Sequence, residues 1–140
     1  MQLQDLVKNI SFTGKTDYRE IKTIAYDSRK VKPGTLFVAI SGTSNDGHKY
    51  IPEAIKNGAV AILSNKDKPT TNIVPFIYVN NPRKAMSNIS AQFYGNPSKK
   101  MNVIGITGTN GKTSIAQILY HILLNSDKSC GVLGTLGFQT

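Results

Sequence analysis

Three glycines at intervals of three residues set the strongest constraint on this chain. Gly105, Gly108 and Gly111 punctuate the stretch Met101–Ser114, MNVIGITGTNGKTS, among and after the apolar residues Val103, Ile104 and Ile106 and just before Lys112 and Thr113. The apolar run predicts a buried strand. From Ser114 onward Ile115, Ile118, Leu119, Ile122 and Leu123 recur at helical spacing, so the glycines fall at a strand-to-helix turn. Such a turn aims successive backbone N–H groups into one concavity, the helix adds the positive end of its dipole, and the missing Cβ atoms let an anion come close. Gly108, Thr109, Asn110, Gly111, Lys112, Thr113 and Ser114 are therefore candidates to cradle a chain of phosphates, with Lys112 reaching the outer ones and the Thr113 hydroxyl facing a bound Mg²⁺. The general phosphate-loop pattern GxxxxGK[ST] requires a glycine at position 106, where this chain has Ile106. For the GKT triplet alone, a solvated lysine in a glycine-rich turn remains an alternative. Strand, glycines and amphipathic helix together favour the anion cradle.

The 140 residues suit one domain or a little more. A hydrophobic content of 39% with 18% charged residues is that of a globular protein. The single cysteine, Cys130, excludes an internal disulfide and fits a reducing cytoplasm. The opening MQLQDLVKNI carries Asp5 and no long apolar core, unlike a secretory signal. No apolar run approaches the roughly 20 residues of a membrane span. A cytoplasmic setting without a membrane partner is expected. Seventeen Lys and Arg against eight Asp and Glu give a formal charge of +9, which favours anionic partners. The lysines are scattered, Lys99-Lys100 being the only Lys-Lys pair, and no basic run with interleaved aromatics and no zinc-finger or RRM-type signature is present. Phosphorylated small molecules, rather than nucleic acid, are the expected partners.

Upstream of the glycine-rich stretch, strands and helices alternate. Leu3, Leu6, Val7 and Ile10 have the spacing of a short amphipathic helix, and Ile21–Tyr26 reads as a strand ending in Asp27-Ser28-Arg29. Val31-Lys32-Pro33-Gly34 is a turn, followed by the buried strand Thr35–Ile40. The polar loop Ser41–Lys49, SGTSNDGHK, then leaves the C-terminal end of that strand, where ligands bind in open α/β sheets, although an ordinary surface connection has the same composition. His48 reads as a loop or helix-start residue, and no second His, Cys or acidic cluster gives it a metal-ligand spacing. Tyr50–Asn57 predicts a helix with Pro52 in its first turn; Ala59–Leu63 and Phe76–Val79 predict strands, with Lys66–Asn72 as a polar loop between them. Asn80-Asn81-Pro82 opens a helix whose inward positions are Ala85, Ile89 and Phe93, and Tyr94-Gly95-Asn96-Pro97 ends it. The expected organisation is α/β: a small N-terminal α/β domain, residues 1–98, with Gly95–Lys100 as linker, then residues 99–140 as the first β-loop-α-β unit of a phosphate-loop domain, with Cys130–Leu133 as its next strand. One such unit cannot bury both faces of a parallel sheet, so a longer protein is expected around it.

With these motifs in place, the chain resembles the Mur ligases, most closely the branch that adds a diamino acid. The likeness rests on Tyr26-Asp27-Ser28-Arg29-Lys30-Val31-Lys32-Pro33-Gly34, Leu36-Phe37-Val38-Ala39, Asp46-Gly47-His48 with Tyr50-Ile51, Asn81-Pro82-Arg83, Phe93-Tyr94 with Pro97-Ser98, Ile104–Thr113 and Gly134-Thr135. The resemblance implies an ATP-dependent amide ligase of peptidoglycan synthesis that joins a diamino acid, meso-diaminopimelate or L-lysine, to UDP-MurNAc-L-Ala-D-Glu through an acyl phosphate. It implies ATP as co-substrate, Mg²⁺, and a UDP-binding first domain. Tyr26, Ser28 and the loop triplet Thr43, Ser44 and Asn45 stand at positions that hold the UDP part of the substrate in such enzymes, and Arg29 or Lys30 could help the pyrophosphate. The ATP phosphates would lie on Gly108–Ser114. The remaining catalytic parts, by the same likeness, belong to the rest of the ligase chain, so the 140 residues alone are expected to be inactive. A stand-alone uridine-nucleotide module, the related D-alanyl-D-alanine-adding ligase, and a basic phosphate-loop protein acting on nucleic acid are the competing readings.

Overall fold

The run Thr35–Val38 is apolar on both sides of its pleat, which only a strand covered on two faces can satisfy. It forms β2, the most deeply buried strand of a four-stranded sheet. In the computed structural model, which describes residues 1–42, 45–66 and 73–140, β2 pairs with β1 (Thr23–Ala25) and β3 (Ala59–Ser64), and β3 with β4 (Phe76–Tyr78). All pairings are parallel and the order is β1-β2-β3-β4. Ile24 lies opposite Leu36, and Phe37 opposite Ile62. The register slips by one residue at Val60, whose carbonyl accepts a 2.6 Å hydrogen bond from Arg19. The expected polar loop at 66–72 lies outside the described residues, Lys66 excepted.

Alternation along β2 sorts the core into two layers. Leu36 and Val38 point to one face, where they meet Leu3, Leu6 and Val7 of α1 (Leu3–Val7) and Ala85 and Ile89 of α3 (Pro82–Phe93). Phe37 and Ala39 point to the other, against Ile51 and Ala54 of α2 (Ile51–Lys56). Both helices start as the sequence predicts: Pro52 sits in the first turn of α2, and the Asn81 side chain caps α3 by accepting from the Lys84 amide at 3.0 Å. Helix α3 is tied to α1 by Gln92 donating to the Asp5 carbonyl at 2.7 Å, and to the segment just after α1 by Asn9 donating to Gln92 at 3.0 Å.

The chain divides into two compact units, Met1–Lys100 and Met101–Thr140. In the second, α4 (Lys112–Leu124) follows the glycine-rich loop and lies against β5 (Val132–Gly134), which pairs antiparallel with β6 (Gly137–Gln139). Here the structure corrects the sequence reading. Residues 103–106 are not a strand, and Val103 and Ile104 are 69% and 62% exposed. A strand exists only by pairing; the segment predicted to lie beside it, Cys130–Leu133, instead gives Val132 and Leu133 to a hairpin with β6. The phosphate-loop unit is thus a loop, a helix and a hairpin.

Candidate functional site

In the first unit, the segments leaving the C-terminal ends of β1 and β2 face the start of α3 across a cavity of about 1040 Å³. This is the end of an open α/β sheet where backbone groups and side chains converge on ligands. After β1 the chain turns through Asp27–Lys30, with the Asp27 carboxylate accepting from the Arg29 amide at 3.1 Å. That turn brings Tyr26 and Ser28 to the cavity wall; Tyr26 is exposed and Ser28 is buried. The Ser28 hydroxyl donates to Glu53 of α2 at 3.1 Å, and its carbonyl accepts from Asn57 at 3.1 Å, so its position is fixed from two sides.

The wall contributed after β2 holds Gly42, Asn45 and Gly47. Its shape is set by Asp46. That carboxylate accepts from the His48 amide at 3.1 Å and the Ser41 hydroxyl at 3.2 Å, and it pairs with the His48 Nδ1 and the Lys66 ammonium, both at 2.5 Å. The Lys66 and His48 hydrogen bonds, in that order, hold the Asp46 carboxyl well below the usual carboxylate range. Gly47 closes the loop onto the strand: its amide donates to the Ile40 carbonyl at 2.9 Å, and a Cβ there would stand 2.7 Å from that oxygen. Only glycine fits so close to another backbone. His48 falls in a helical turn, Gly47–Tyr50, at the start of the helical segment as the sequence reading places it, and it does not contribute to the cavity lining.

Tyr26, Ser28 and Asn45, selected from the sequence, are thus brought to one cavity. Thr43 and Ser44 lie outside the described residues. Arg29 also lines the cavity, but its guanidinium is committed to Asp27, with Nε and Nη2 at 2.9 and 2.8 Å from the two oxygens. The Arg29 hydrogen bonds lower the Asp27 carboxyl to about 2. Lys30 is exposed and does not contribute to the lining. Among the polar lining residues, Glu53, Ser87 and Ser90 were not singled out from the sequence, and Arg83 was noted only within the Asn81-Pro82-Arg83 motif, without a role. Glu53 could have been found only through its partner Ser28; the other three share a helix face that looks like a solvated one.

In the second unit, Gly111 takes a left-handed conformation (φ 76°) at the N-cap of α4, and no side chain caps the helix. The amides of its first turn are therefore available to an anion. Lys112 donates to the carbonyls of Gly108 and Thr109, the latter at 3.1 Å, which holds the ammonium over the loop. The Thr113 hydroxyl lies 3.3 Å from that of Thr135. Uncapped amides, a positioned ammonium and paired hydroxyls form a donor set that fits a nucleotide's phosphates and a hard cation. Thr109, Asn110 and Ser114 are exposed beside them. Among the described residues no group of three or more His, Cys, Asp or Glu could hold a metal ion, so a cation here would depend on phosphate oxygens and hydroxyls. No helix among the described residues is long and apolar enough to cross a membrane.

Residues 20–94 match the Mur ligase family, catalytic domain, and residues 106–140 the Mur ligase middle domain. The UDP-N-acetylmuramoyl-L-alanyl-D-glutamate–2,6-diaminopimelate ligase of Syntrophomonas wolfei is 42% identical over 99% of this chain, and that of Caldanaerobacter subterraneus is 44% identical over 97%. The chain spans only 29% and 28% of the length of these two relatives. Among solved structures, a MurF ligase from Thermotoga maritima in complex with ADP superposes with a TM-score of 0.59 at 32% identity, covering 76% of this chain and 24% of that one. A UDP-N-acetylmuramoyl-L-alanyl-D-glutamate–2,6-diaminopimelate ligase superposes with a TM-score of 0.75 over 99% of this chain and 28% of that one; at 23% identity this likeness concerns the fold.

Proposed function

The chain belongs to the Mur ligase family, and from that membership we propose that it carries the substrate-gathering parts of an ATP-dependent amide ligase. The cavity of the first unit holds the uridine diphosphate of UDP-MurNAc-L-Ala-D-Glu, and the loop of the second holds the phosphates of ATP with Mg²⁺. The amino acid added is a diamino acid, which the names of the 42–44% identical relatives point to as 2,6-diaminopimelate. A cytoplasmic setting follows from the nature of these substrates.

The observation that supports the reading most directly is the convergence of Tyr26, Ser28 and Asn45, from two separate segments, on one cavity at the C-terminal ends of parallel strands. Each has a task there. Tyr26 offers an exposed aromatic face to a base, the fixed turn at Ser28 offers backbone polar groups, and Asn45 offers both a donor and an acceptor. In the second unit the loop amides and Lys112 would stabilise negative charge on a transferring phosphoryl group, a task for preorganised donors. Thr113 and Ser114 would supply hydroxyls to the phosphates and to Mg²⁺, which when bound neutralises charge between phosphate oxygens.

Isothermal titration of the 140-residue chain with UDP-MurNAc-L-Ala-D-Glu and with Mg·ATP tests the proposal. Binding of both supports it. Binding of the first alone would favour a uridine-nucleotide module, and salt-sensitive binding of DNA or RNA in preference to either would overturn it.

A further inference from the structure

The wall of the cavity that faces the loops is one side of α3. Arg83, Met86, Ser87 and Ser90 recur at helical spacing along it, while Ala85 and Ile89 on the opposite side enter the core. A helix gripped through Ala85 and Ile89 holds its other face at a fixed height over the cavity.

The charges on the lining decide what Arg83 is for. Arg29 and Asp27 satisfy each other, and the Glu53 carboxylate accepts from Ser28. Among the described residues Arg83 has no carboxylate partner and one polar contact, a 3.4 Å approach of Nη2 to the neutral Ser41 carbonyl, at the weak end of hydrogen-bond lengths. Two guanidinium groups and two carboxylates make the lining neutral as it stands. Without Arg83 the formal charge of the lining would be net negative, leaving it without an uncommitted cation to meet a diphosphate. A guanidinium is also the side chain whose planar fork matches phosphate oxygens two at a time.

We propose that Arg83 is the positioning residue for the diphosphate of the uridine nucleotide, reaching it from α3 across the cavity from Tyr26 and Ser28. The inference rests on the cavity's being the nucleotide site. Its contact to the Ser41 carbonyl is weak enough to be exchanged for phosphate at little cost, and the same exchange would draw the loop after β2 and the helix after β4 onto one ligand. Ser87 and Ser90, whose hydroxyls have no protein partner among the described residues, extend the same wall with groups suited to sugar hydroxyls.

The test compares UDP with uridine as ligands of the 140-residue chain, using titration calorimetry for UDP and ligand-observed NMR for uridine, on the parent, Arg83→Ala and Arg83→Lys. Loss of hydrogen bonds to a charged group predicts that Arg83→Ala weakens UDP binding about 10–150-fold. Uridine binding should stay unchanged, and the salt dependence of UDP binding should become shallower. Arg83→Lys should recover part of the loss. Unaltered UDP affinity in Arg83→Ala would overturn the inference, and so would an equal loss for UDP and uridine, which marks a structural role. If the parent chain binds neither ligand, the nucleotide reading of the cavity itself fails, an outcome distinct from a parent that binds UDP without using Arg83. Arg83 is exposed, so matching thermal melts should show that both variants remain folded.

Discussion

Gly47 offers the sharpest test of how the cavity is built. In Gly47→Ala the new Cβ would lie 2.7 Å from the Ile40 carbonyl oxygen and 2.9 Å from the Ile40 nitrogen, about 0.7 Å inside the 3.4 Å at which ordinary contact with that oxygen begins. Both neighbours are backbone atoms at the exit of β2, so no side chain can swing aside. The backbone of Gly47 itself is not left-handed, which removes conformational strain from the account and leaves crowding alone. Crowding of this kind costs about 1–3 kcal/mol, and at about 4–8 °C per kcal/mol for a unit of this size the melting temperature should fall by roughly 4–24 °C. If the strain is relieved instead by Gly47 drawing away from Ile40, the arrangement with the two in contact becomes about 5–150-fold rarer and the apparent affinity for UDP falls by the same factor. Thermal melts with and without UDP, combined with titration calorimetry, separate the two routes. A Gly47→Ala chain that melts with the parent and binds UDP as tightly would refute the claim that this glycine holds the cavity wall against the sheet.

Two further outcomes follow from the same geometry. Lys112→Ala removes the only ammonium held over the glycine-rich loop among the described residues and should weaken Mg·ATP binding about 10–150-fold while leaving UDP affinity unchanged; equal ATP affinity in the variant would remove Lys112 from the phosphate site. The lowered Asp27 and Asp46 carboxyls make stability pH-dependent, because a carboxyl depressed in the folded state adds stability above its unfolded value and loses it as pH falls toward its folded one. Melting temperature should therefore decline from roughly pH 5 downward, and Asp46→Asn should melt lower at neutral pH with a shallower acid decline. An acid profile unchanged by Asp46→Asn would show that the carboxylate does not bind its four partners in solution.

The elements most legible in the sequence were those whose signals are local. The apolar run of β2 and the Pro52 and Asn81-Pro82 helix starts depend on propensity, capping and near neighbours. Pairing is not local, and the prediction for residues 103–106 failed for that reason: the same residues read as a strand by pattern, yet their predicted neighbour folds onto β6. The site was half legible. Tyr26, Ser28 and Asn45 stand in polar turns, where functional residues attract notice. Arg83, Ser87 and Ser90 stand on a helix whose polar side has the composition of any solvated surface, and only the tertiary fold shows that this side faces a cavity rather than bulk water.

The ties between Asn9 and Gln92 and between Gln92 and Asp5 span 83 and 87 positions of the chain. One layer of the sheet is roofed partly by the earliest helix and partly by the last of its unit, so during synthesis the first strands leave the ribosome with the α3 side of that layer not yet shielded. Clipping the residues ahead of Leu6 would remove Leu3 from that roof and the Asp5 carbonyl from Gln92, and a weaker UDP affinity in the clipped chain, read by calorimetry, would show that recognition reaches through α3 to a place the nucleotide never touches.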